Sequence, residues 1–332
     1  MTRVAVAGFG FMGRMHYGNW KRIRGAKVVA ICDANLAQLT TVAGGNLAGA
    51  DTSTDFTGVA VYDDYARMLA AGGFDAVDLT LPTPLHRDLS VAALKAGYHV
   101  LCEKPMALST ADCDAMLAAA RRAKRTLLVA QCLRFWPEYV ALRKLVLSGK
   151  YGRVVAAEFH RSSNPPEAKG GHAWYLDAKQ SGGCLLDLHI HDADMIRFLF
   201  GAPRGVSART HRRADGVLDH AHLVYDYPDK VVSATGSWSN TKTLGFEASF
   251  RVTFEKASVV FDPKRPEPFL VYPASGKPFA PKLPKTGAYE AEQRYFVDLL
   301  AGRADASILT ARDARDAVAL VEQAAGRDGG CQ

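Results

Sequence analysis

The chain has 332 residues, of which 48% are hydrophobic and 23% charged, as in an ordinary globular protein, and its length predicts two domains. Its formal net charge of +7 is modest, and its densest basic clusters, Arg121–Arg125 and His211–Arg213, are short and far apart. A nucleic-acid-binding protein usually gathers its basic residues on one element, and no apolar run here reaches membrane-spanning length, so we expect neither nucleic acid nor membrane as a partner.

An apolar strand, Val4–Ala7, runs directly into a glycine-rich loop of the form G-x-G-x-x-G. The loop residues are Gly8, Phe9, Gly10, Phe11, Met12 and Gly13. Such a loop lets the backbone approach a pyrophosphate and directs helix N–H groups toward it. A helix over 14–24 and a strand over 27–32 follow. A tight glycine turn in an ordinary βαβ unit is the alternative, but the complete strand–turn–helix context predicts a dinucleotide site.

The second strand ends on Asp33, about 20 residues after the last glycine, where the dinucleotide fingerprint has a carboxylate for the ribose 2′-hydroxyl. The alternative role for Asp33 is that of a helix N-cap. A 2′-phosphate would be repelled by this carboxylate and would need a nearby arginine. No lysine or arginine occurs between Lys27 and Arg67, so the sequence predicts NAD rather than NADP as cofactor.

The chain continues to alternate strands and helices, which indicates a doubly wound parallel sheet of the α/β class. The predicted strands lie at 59–62, 76–80, 98–102 and 126–132, and the predicted helices at 36–42, 64–71, 86–96 and 109–124. A loop rich in Gly, Asp and Thr is expected over 44–58.

The pattern changes after a predicted helix at 138–148. Longer strands are predicted at 153–162, 205–212, 220–227, 230–238, 247–254, 257–261 and 269–271, with closing helices at 289–301 and 310–325. This pattern is typical of an α+β domain with a large, mostly antiparallel open sheet. We therefore predict an NAD-binding domain over residues 1–126 and a second domain over 127–332, with the final helix packing back on the first.

Two segments with polar residues follow neighbouring predicted strands. The first includes Leu81, Pro82, Thr83 and His86, and the second is Glu103–Lys104–Pro105. Open α/β sheets bind ligands at the carboxyl ends of their strands, so both segments are predicted to line the cofactor site. Lys104 then projects toward that site. Its alternative is an ordinary surface lysine in a loop.

The second domain carries one further candidate segment, Ser181–Asp194, with a glycine pair followed by a predicted helix that continues through Phe198. Asp187 and His191 are four residues apart and are expected on one helix face. A carboxylate beside an imidazole is a general acid/base pair, because the acid orients the ring. The alternatives are an ordinary salt-bridge cluster or a metal site, and we expect no metal because the candidate ligands point around the helix.

Together, the glycine loop, Thr80–His86, Gly97–Pro105 and the Gly182–Gly183…Asp187…His191…Asp194 pattern resemble the glucose-fructose oxidoreductase / inositol dehydrogenase / rhizopine catabolism (Gfo/Idh/MocA) family. The order and spacing match from Val4 to about residue 325. The family carries glycine at the position of His189 in many members.

The resemblance implies a catalytic set of Lys104, Asp187 and His191, all of which would also contact substrate. It further implies that Arg134, Trp174 and Tyr175 line the substrate pocket, with packing at the domain junction as their alternative. The open sheet of the second domain often forms the oligomer interface in this family, which implies a homodimer or homotetramer.

These features predict the oxidation of a secondary alcohol of a sugar, inositol or related polyol by NAD. His191 would be the general base, Asp187 would fix its tautomer, and Lys104 would stabilise the developing negative charge on the reacting oxygen. The alternatives are an NAD-dependent glycosidase of the same fold and a non-catalytic cofactor-sensing protein.

Six cysteines are present, none in a C-x-x-C pair, and Cys32, Cys102 and Cys132 lie in or beside apolar strands. This usage indicates buried thiols in a reducing compartment rather than a disulfide framework. The chain also opens on a strand with no charged-then-apolar signal segment. We therefore expect a cytoplasmic protein.

Overall fold

The computed structural model describes residues 1–39, 55–167 and 173–326. The chain divides into two compact units. The first comprises Met1–Cys132 and Thr286–Arg315, and the second comprises Leu133–Lys285 and Asp316–Gln332. Residues 127–132, which the sequence suggested as the start of the second domain, belong to the first unit because their strand pairs with the first sheet.

The first unit is built on a six-stranded, fully parallel sheet in the order β3-β2-β1-β4-β5-β6. Its strands are β1 (Thr2–Ala7), β2 (Ala26–Cys32), β3 (Ala60–Tyr62), β4 (Ala76–Leu79), β5 (His99–Glu103) and β6 (Leu127–Ala130). Most residues of β1, β4, β5 and β6 are apolar and buried, as expected for a sheet covered on both faces. The predicted doubly wound α/β sheet is confirmed.

Helices connect the strands of this sheet. They are α1 (Phe11–Arg22), α2 (Tyr65–Ala71), α3 (His86–Lys95) and α4 (Thr110–Ala123). The Ser109 hydroxyl caps α4 by accepting the Asp112 N–H at 3.1 Å. Of the helix predicted over 36–42, a 3-10 turn at Leu36–Leu39 is described, and most of the predicted loop over 44–58 lies outside the described residues.

The first unit also includes a late helix, α9 (Ala288–Leu300), which packs against α1. The Gln293 side chain on α9 donates to the carbonyl of His16 on α1 at 3.1 Å. The last helix, α10 (Ala311–Gly326), starts in the first unit, where Arg315 pairs with Asp114 of α4 at 2.9 Å. Its remainder from Asp316 belongs to the second unit, where Asp316 pairs with Arg197 at 2.9 Å.

The second unit contains a seven-stranded sheet in the order β13-β12-β11-β7-β10-β9-β8, antiparallel except for the β7–β10 pair. Its strands are β7 (Val154–Ser162), β8 (Gly205–Arg212), β9 (Leu218–Asp226), β10 (Val231–Ser237), β11 (Glu247–Phe254), β12 (Ala257–Phe261) and β13 (Phe269–Pro273). This is the mostly antiparallel sheet that the sequence predicts.

Helices of the second unit are α5 (Pro137–Ser148), α6 (Ala178–Ser181), α7 (Gly183–Asp187) and α8 (Ile190–Phe200). Helix α7 packs on β9 and β10. The single helix predicted after the glycine pair is therefore two helices. At the junction the His189 N–H bonds to the Cys184 carbonyl five residues back, at 2.9 Å, which is a π-type turn.

Candidate active site

The glycine loop is shaped by contacts that leave no room for side chains at two of its glycines. Gly8 has φ of +90°, and a Cβ there would lie 2.7 Å from the Thr80 carbonyl. A Cβ on Gly13 would lie 2.0 Å from the Gly8 carbonyl, so helix α1 can approach strand β1 only without a side chain there. By contrast, a Cβ on Gly10 would meet nothing within 4 Å.

We expect Gly13→Ala to destabilise the first unit, because backbone must shift to relieve the clash, at a cost of roughly 1–3 kcal/mol or more. Urea unfolding measures this loss. Gly10→Ala is the matched control: its Cβ faces open space, so it should keep wild-type stability while weakening NAD binding in a fluorescence titration. Equal free energies of unfolding for Gly13→Ala and Gly10→Ala would contradict the close backbone contact assigned to Gly13.

The loop leads into the N-terminus of α1, which suits an anionic group. No side chain caps this end, and no acidic residue lies in the first turn. Its first N–H groups and the positive end of the helix dipole therefore face the space beside Gly10. The residues of this loop fit a pyrophosphate, and the binding of NAD at Gly8–Gly13 stays a prediction.

Asp33, at the end of β2, is close to this loop. One carboxylate oxygen accepts the Phe9 N–H at 2.7 Å, and the other accepts the Asn35 N–H at 2.8 Å. Arg14 of α1 interacts electrostatically with Asp33. Burial lowers the pKa of the Arg14 guanidinium, and the Asp33 carboxylate partly offsets that effect. Asp33 therefore lies beside the glycine loop. The expectation that no arginine lies near Asp33 is wrong, because folding brings Arg14 of α1 close to it, so the preference for NAD stays a prediction that depends on the Asp33 carboxylate.

The segments after β4 and β5 are tied together by a buried histidine. The His86 ring lies 2.8 Å from the Leu81 carbonyl through Nε2 and 2.8 Å from the Pro105 carbonyl through Nδ1. Burial lowers the pKa of His86, although both carbonyl contacts oppose this effect. The Lys104–Pro105 peptide is cis. His86 thus joins the Leu81–His86 and Glu103–Pro105 segments at one edge of the sheet.

A buried ionic cluster that the sequence did not predict lies next to Lys104. His16 of α1 contacts Asp78 of β4 at 2.9 Å through Nδ1 and Glu103 of β5 at 3.1 Å through Nε2. Trp20 donates to Asp78 at 2.7 Å. The other Glu103 oxygen accepts the backbone N–H of Lys104 at 3.0 Å. One available signal was Asp78, a charged residue inside an otherwise apolar strand.

In the second unit, Asp187 ends α7 and His191 lies in the first turn of α8, and both are half-buried. The π-type turn between these helices lies between the two residues. Between them His189 is fully buried, and its Nε2 lies 2.6 Å from the Tyr225 hydroxyl of β9. Burial lowers the pKa of His189 to about 4, so this ring is neutral and packs against the sheet.

Arg134, predicted by resemblance to contact substrate, forms a buried ion pair. Its guanidinium donates to both carboxylate oxygens of Asp194, at 2.8 and 2.6 Å, and lies 4.3 Å from the Phe198 ring centroid. Arg161 and Asp192 form a similar buried pair at 2.9 Å. These two pairs fix α8 to neighbouring parts of the second unit.

Trp174 and Tyr175 are half-buried and stack on each other, with ring centroids 3.9 Å apart. The edge of Tyr175 meets Trp238, at the end of β10, with centroids 6.1 Å apart. Three aromatic rings therefore form one cluster in the second unit. Within residues 1–39, 55–167 and 173–326, no three His, Cys, Asp or Glu side chains are grouped to hold a metal ion, and no helix is long and apolar enough to span a membrane.

Comparisons with known proteins identify both parts of the chain. Residues 2–131 match the model of an oxidoreductase family with an NAD-binding Rossmann fold, and residues 139–260 match the GFO/IDH/MocA C-terminal domain. Inositol 2-dehydrogenase of Rhizobium meliloti is 30% identical over 274 residues, covering 80% of this chain and 77% of that enzyme.

Two further proteins extend the comparison. D-apiose dehydrogenase of Paraburkholderia graminis is 36% identical over 214 residues, which cover 63% of this chain but only 52% of that enzyme. The solved structure of aldose-aldose oxidoreductase from Caulobacter crescentus, complexed with glycerol, has the same fold, with a TM-score of 0.83. It is 23% identical, and the match covers 98% of this chain and 97% of that one.

Proposed function

This chain belongs to the Gfo/Idh/MocA oxidoreductase family, and from that premise we propose that it transfers a hydride between a secondary alcohol and NAD. The observation that carries the proposal is one sheet edge of the first unit. It presents a glycine loop suited to a pyrophosphate and, two strands away, a lysine held after β5. A panel of polyols, inositols and aldoses, assayed with NAD by absorbance of the reduced cofactor, tests it.

Three residues have separate roles in the proposed reaction. Bound NAD supplies the hydride acceptor. His191 removes the hydroxyl proton as general base, and Asp187 orients its ring and stabilises the imidazolium. Lys104 donates a hydrogen bond to the alcohol oxygen as negative charge develops on it. The ion pair with Asp194 supports a role for Arg134 in positioning α8, and a contact of Arg134 with substrate stays a prediction.

We propose a sugar, inositol or related polyol as substrate. The relatives are named for apiose and inositol, and carbohydrate rings present apolar C–H faces that pack on aromatic side chains such as those of Trp174 and Tyr175. The relatives carry dehydrogenase names, so neither the glycosidase nor the sensor alternative is proposed.

We expect NAD to be preferred over NADP by at least ~10-fold in kcat/KM, because the Asp33 carboxylate repels a 2′-phosphate and also offsets the charge of the nearby Arg14 guanidinium; this ratio equals about 1.4 kcal/mol. Initial rates with each cofactor measure it. Asp33→Asn keeps an acceptor for the Phe9 N–H but removes the charge, and should reduce the preference. Asp63→Asn, at an exposed acid of the same unit, is the control. A wild-type preference for NADP would refute the cofactor assignment.

We also propose that copies of the chain associate through the outer face of the second sheet. Val224 of β9 and Val231 of β10 are 46% and 66% exposed there, and an isologous contact would cover both. The partner is a second copy of this chain, as a homodimer or homotetramer. The buried thiols Cys32, Cys102 and Cys132 support a location in the reducing cytoplasm.

A further inference from the structure

A histidine lies in the interior of the first unit between two carboxylates, one of which directly precedes Lys104 in the chain. His16 and Asp78 are both fully buried, and Glu103 is 6% exposed. Each ring nitrogen of His16 faces a carboxylate, Nδ1 toward Asp78 at 2.9 Å and Nε2 toward Glu103 at 3.1 Å. Ionised carboxylates only accept hydrogen bonds, so an imidazolium, with a proton on each nitrogen, is the form of His16 that is attracted to both acids.

The charges of this cluster depend on one another. Burial opposes a charge on His16, but Asp78 and Glu103 outweigh it and raise its pKa well above the ordinary value. Burial likewise opposes ionisation of Glu103, yet His16 and Lys104 keep its pKa below the ordinary value. Without a cation at position 16, burial would favour a protonated Glu103.

Glu103 connects this cluster to Lys104. One of its oxygens is held by His16, and the other accepts the Lys104 backbone N–H at 3.0 Å. The carboxylate also attracts the Lys104 ammonium. Charged or titratable side chains near Glu103 lie on four other elements. They are His16 of α1, Asp78 of β4, His86 of α3 and Tyr289 of α9.

We propose that His16 is a positioning residue for the reaction: as a buried imidazolium, it keeps Glu103 ionised and fixed, and Glu103 in turn holds Lys104 in place. This inference rests on the proposed function, because it assigns Lys104 to the reacting oxygen. His16 lies on α1, six positions after Gly10, and would act on Lys104 through Glu103. Helix α1 would thus bind the cofactor through its first turn and position Lys104 through its second turn.

The test compares His16→Gln/Asp78→Asn with wild type. His16→Gln alone leaves two buried carboxylates without their cation, which risks unfolding, and Asp78→Asn removes one of them while keeping an acceptor for Trp20. Lys95→Gln, at an exposed lysine at the end of α3 in the same unit, is the control. We expect the double variant to bind NAD within about threefold of wild type and to lose about 100-fold in kcat, the scale of a misplaced reacting group.

The pH profile distinguishes positioning from simple structural support. In the double variant Glu103 protonates as the pH falls, so kcat should show a new loss of activity on the acid side that wild type and Lys95→Gln lack. A double variant with kcat and a pH profile like those of Lys95→Gln would overturn the proposal.

Two measurements decide the inference without any turnover. His16 has a raised pKa in the folded state, so its stabilisation is complete below pH 6.5, the ordinary value, and is lost as the pH rises through the folded-state value. The free energy of unfolding should therefore fall above pH 6.5 in wild type, more steeply than in the double variant. Equal pH dependence would overturn the buried cation.

The second measurement is the rate at which acetic anhydride modifies Lys104, followed by mass spectrometry. We expect at least ~3-fold faster modification in the double variant, because a protonated Glu103 no longer holds the ammonium. An unchanged rate would overturn the link to Lys104. If wild type oxidises no alcohol, the proposed function fails, while these two results still decide whether His16 holds Glu103 and Lys104.

Discussion

Lys104→Met is expected to lower kcat at least 100-fold while leaving the Kd for NAD within about threefold. The lysine follows β5 at the sheet edge where the glycine loop lies, and a donor at the reacting oxygen contributes on the order of 10²–10³ in rate. Methionine keeps the length and apolar stem of the side chain but cannot donate a hydrogen bond. The loss in kcat therefore measures the effect of removing the ammonium and not the effect of creating a cavity.

Steady-state kinetics and a fluorescence titration with NAD measure the two quantities for Lys104→Met. Lys95→Met is the matched control, because Lys95 is exposed at the end of α3 in the same unit. It should retain wild-type turnover. Wild-type kcat in Lys104→Met would remove the lysine from the reaction and leave the sheet edge as a cofactor site alone.

His191→Asn is expected to reduce kcat by about 10²–10⁴, the contribution of a positioned general base. Asparagine is close to imidazole in size and can hydrogen-bond, but it does not accept a proton near neutral pH. Activity should therefore partly recover at high pH, where hydroxide in solvent removes the alcohol proton. Asp187→Asn should give a smaller loss, because it disturbs the orientation of the base and not the base itself.

The pH dependence of kcat from pH 6 to 10 measures both variants, and Lys95→Met serves again as the control. An Asp187→Asn variant with wild-type kcat would remove the carboxylate from the pair. If His191→Asn also retained wild-type kcat at pH 7, the base would have to be a different residue.

Much of the fold follows from local patterns in the sequence. The apolar strands 76–80 and 98–102 lie within one residue of β4 and β5, and the Ser109 cap marks the start of α4. These features depend on side-chain periodicity and capping, which neighbouring residues determine. The glycine loop was equally local, and the backbone contacts at Gly8 and Gly13 supply its physical reason.

The features that the sequence did not predict arise from contacts between distant residues. The helix predicted through Phe198 is divided by a π-type turn at His189, whose ring is held in the core by Tyr225, 36 residues away. The Arg134–Asp194 pair joins residues 60 apart, and the His16–Asp78 pair joins residues 62 apart. No local pattern encodes such pairs, although a lone aspartate inside the apolar strand β4 indicates that one exists.

Transfer of deuterium from a substrate carbon to the cofactor would demonstrate the proposed hydride transfer. The best alcohol of the polyol, inositol and aldose panel is prepared with deuterium on its carbinol carbon and incubated with the protein and NAD. We predict reduced cofactor that carries one deuterium by mass spectrometry, in an amount equal to the ketone formed. Folded protein that binds NAD yet gives no reduced cofactor with any alcohol, or reduced cofactor without deuterium, would contradict the account.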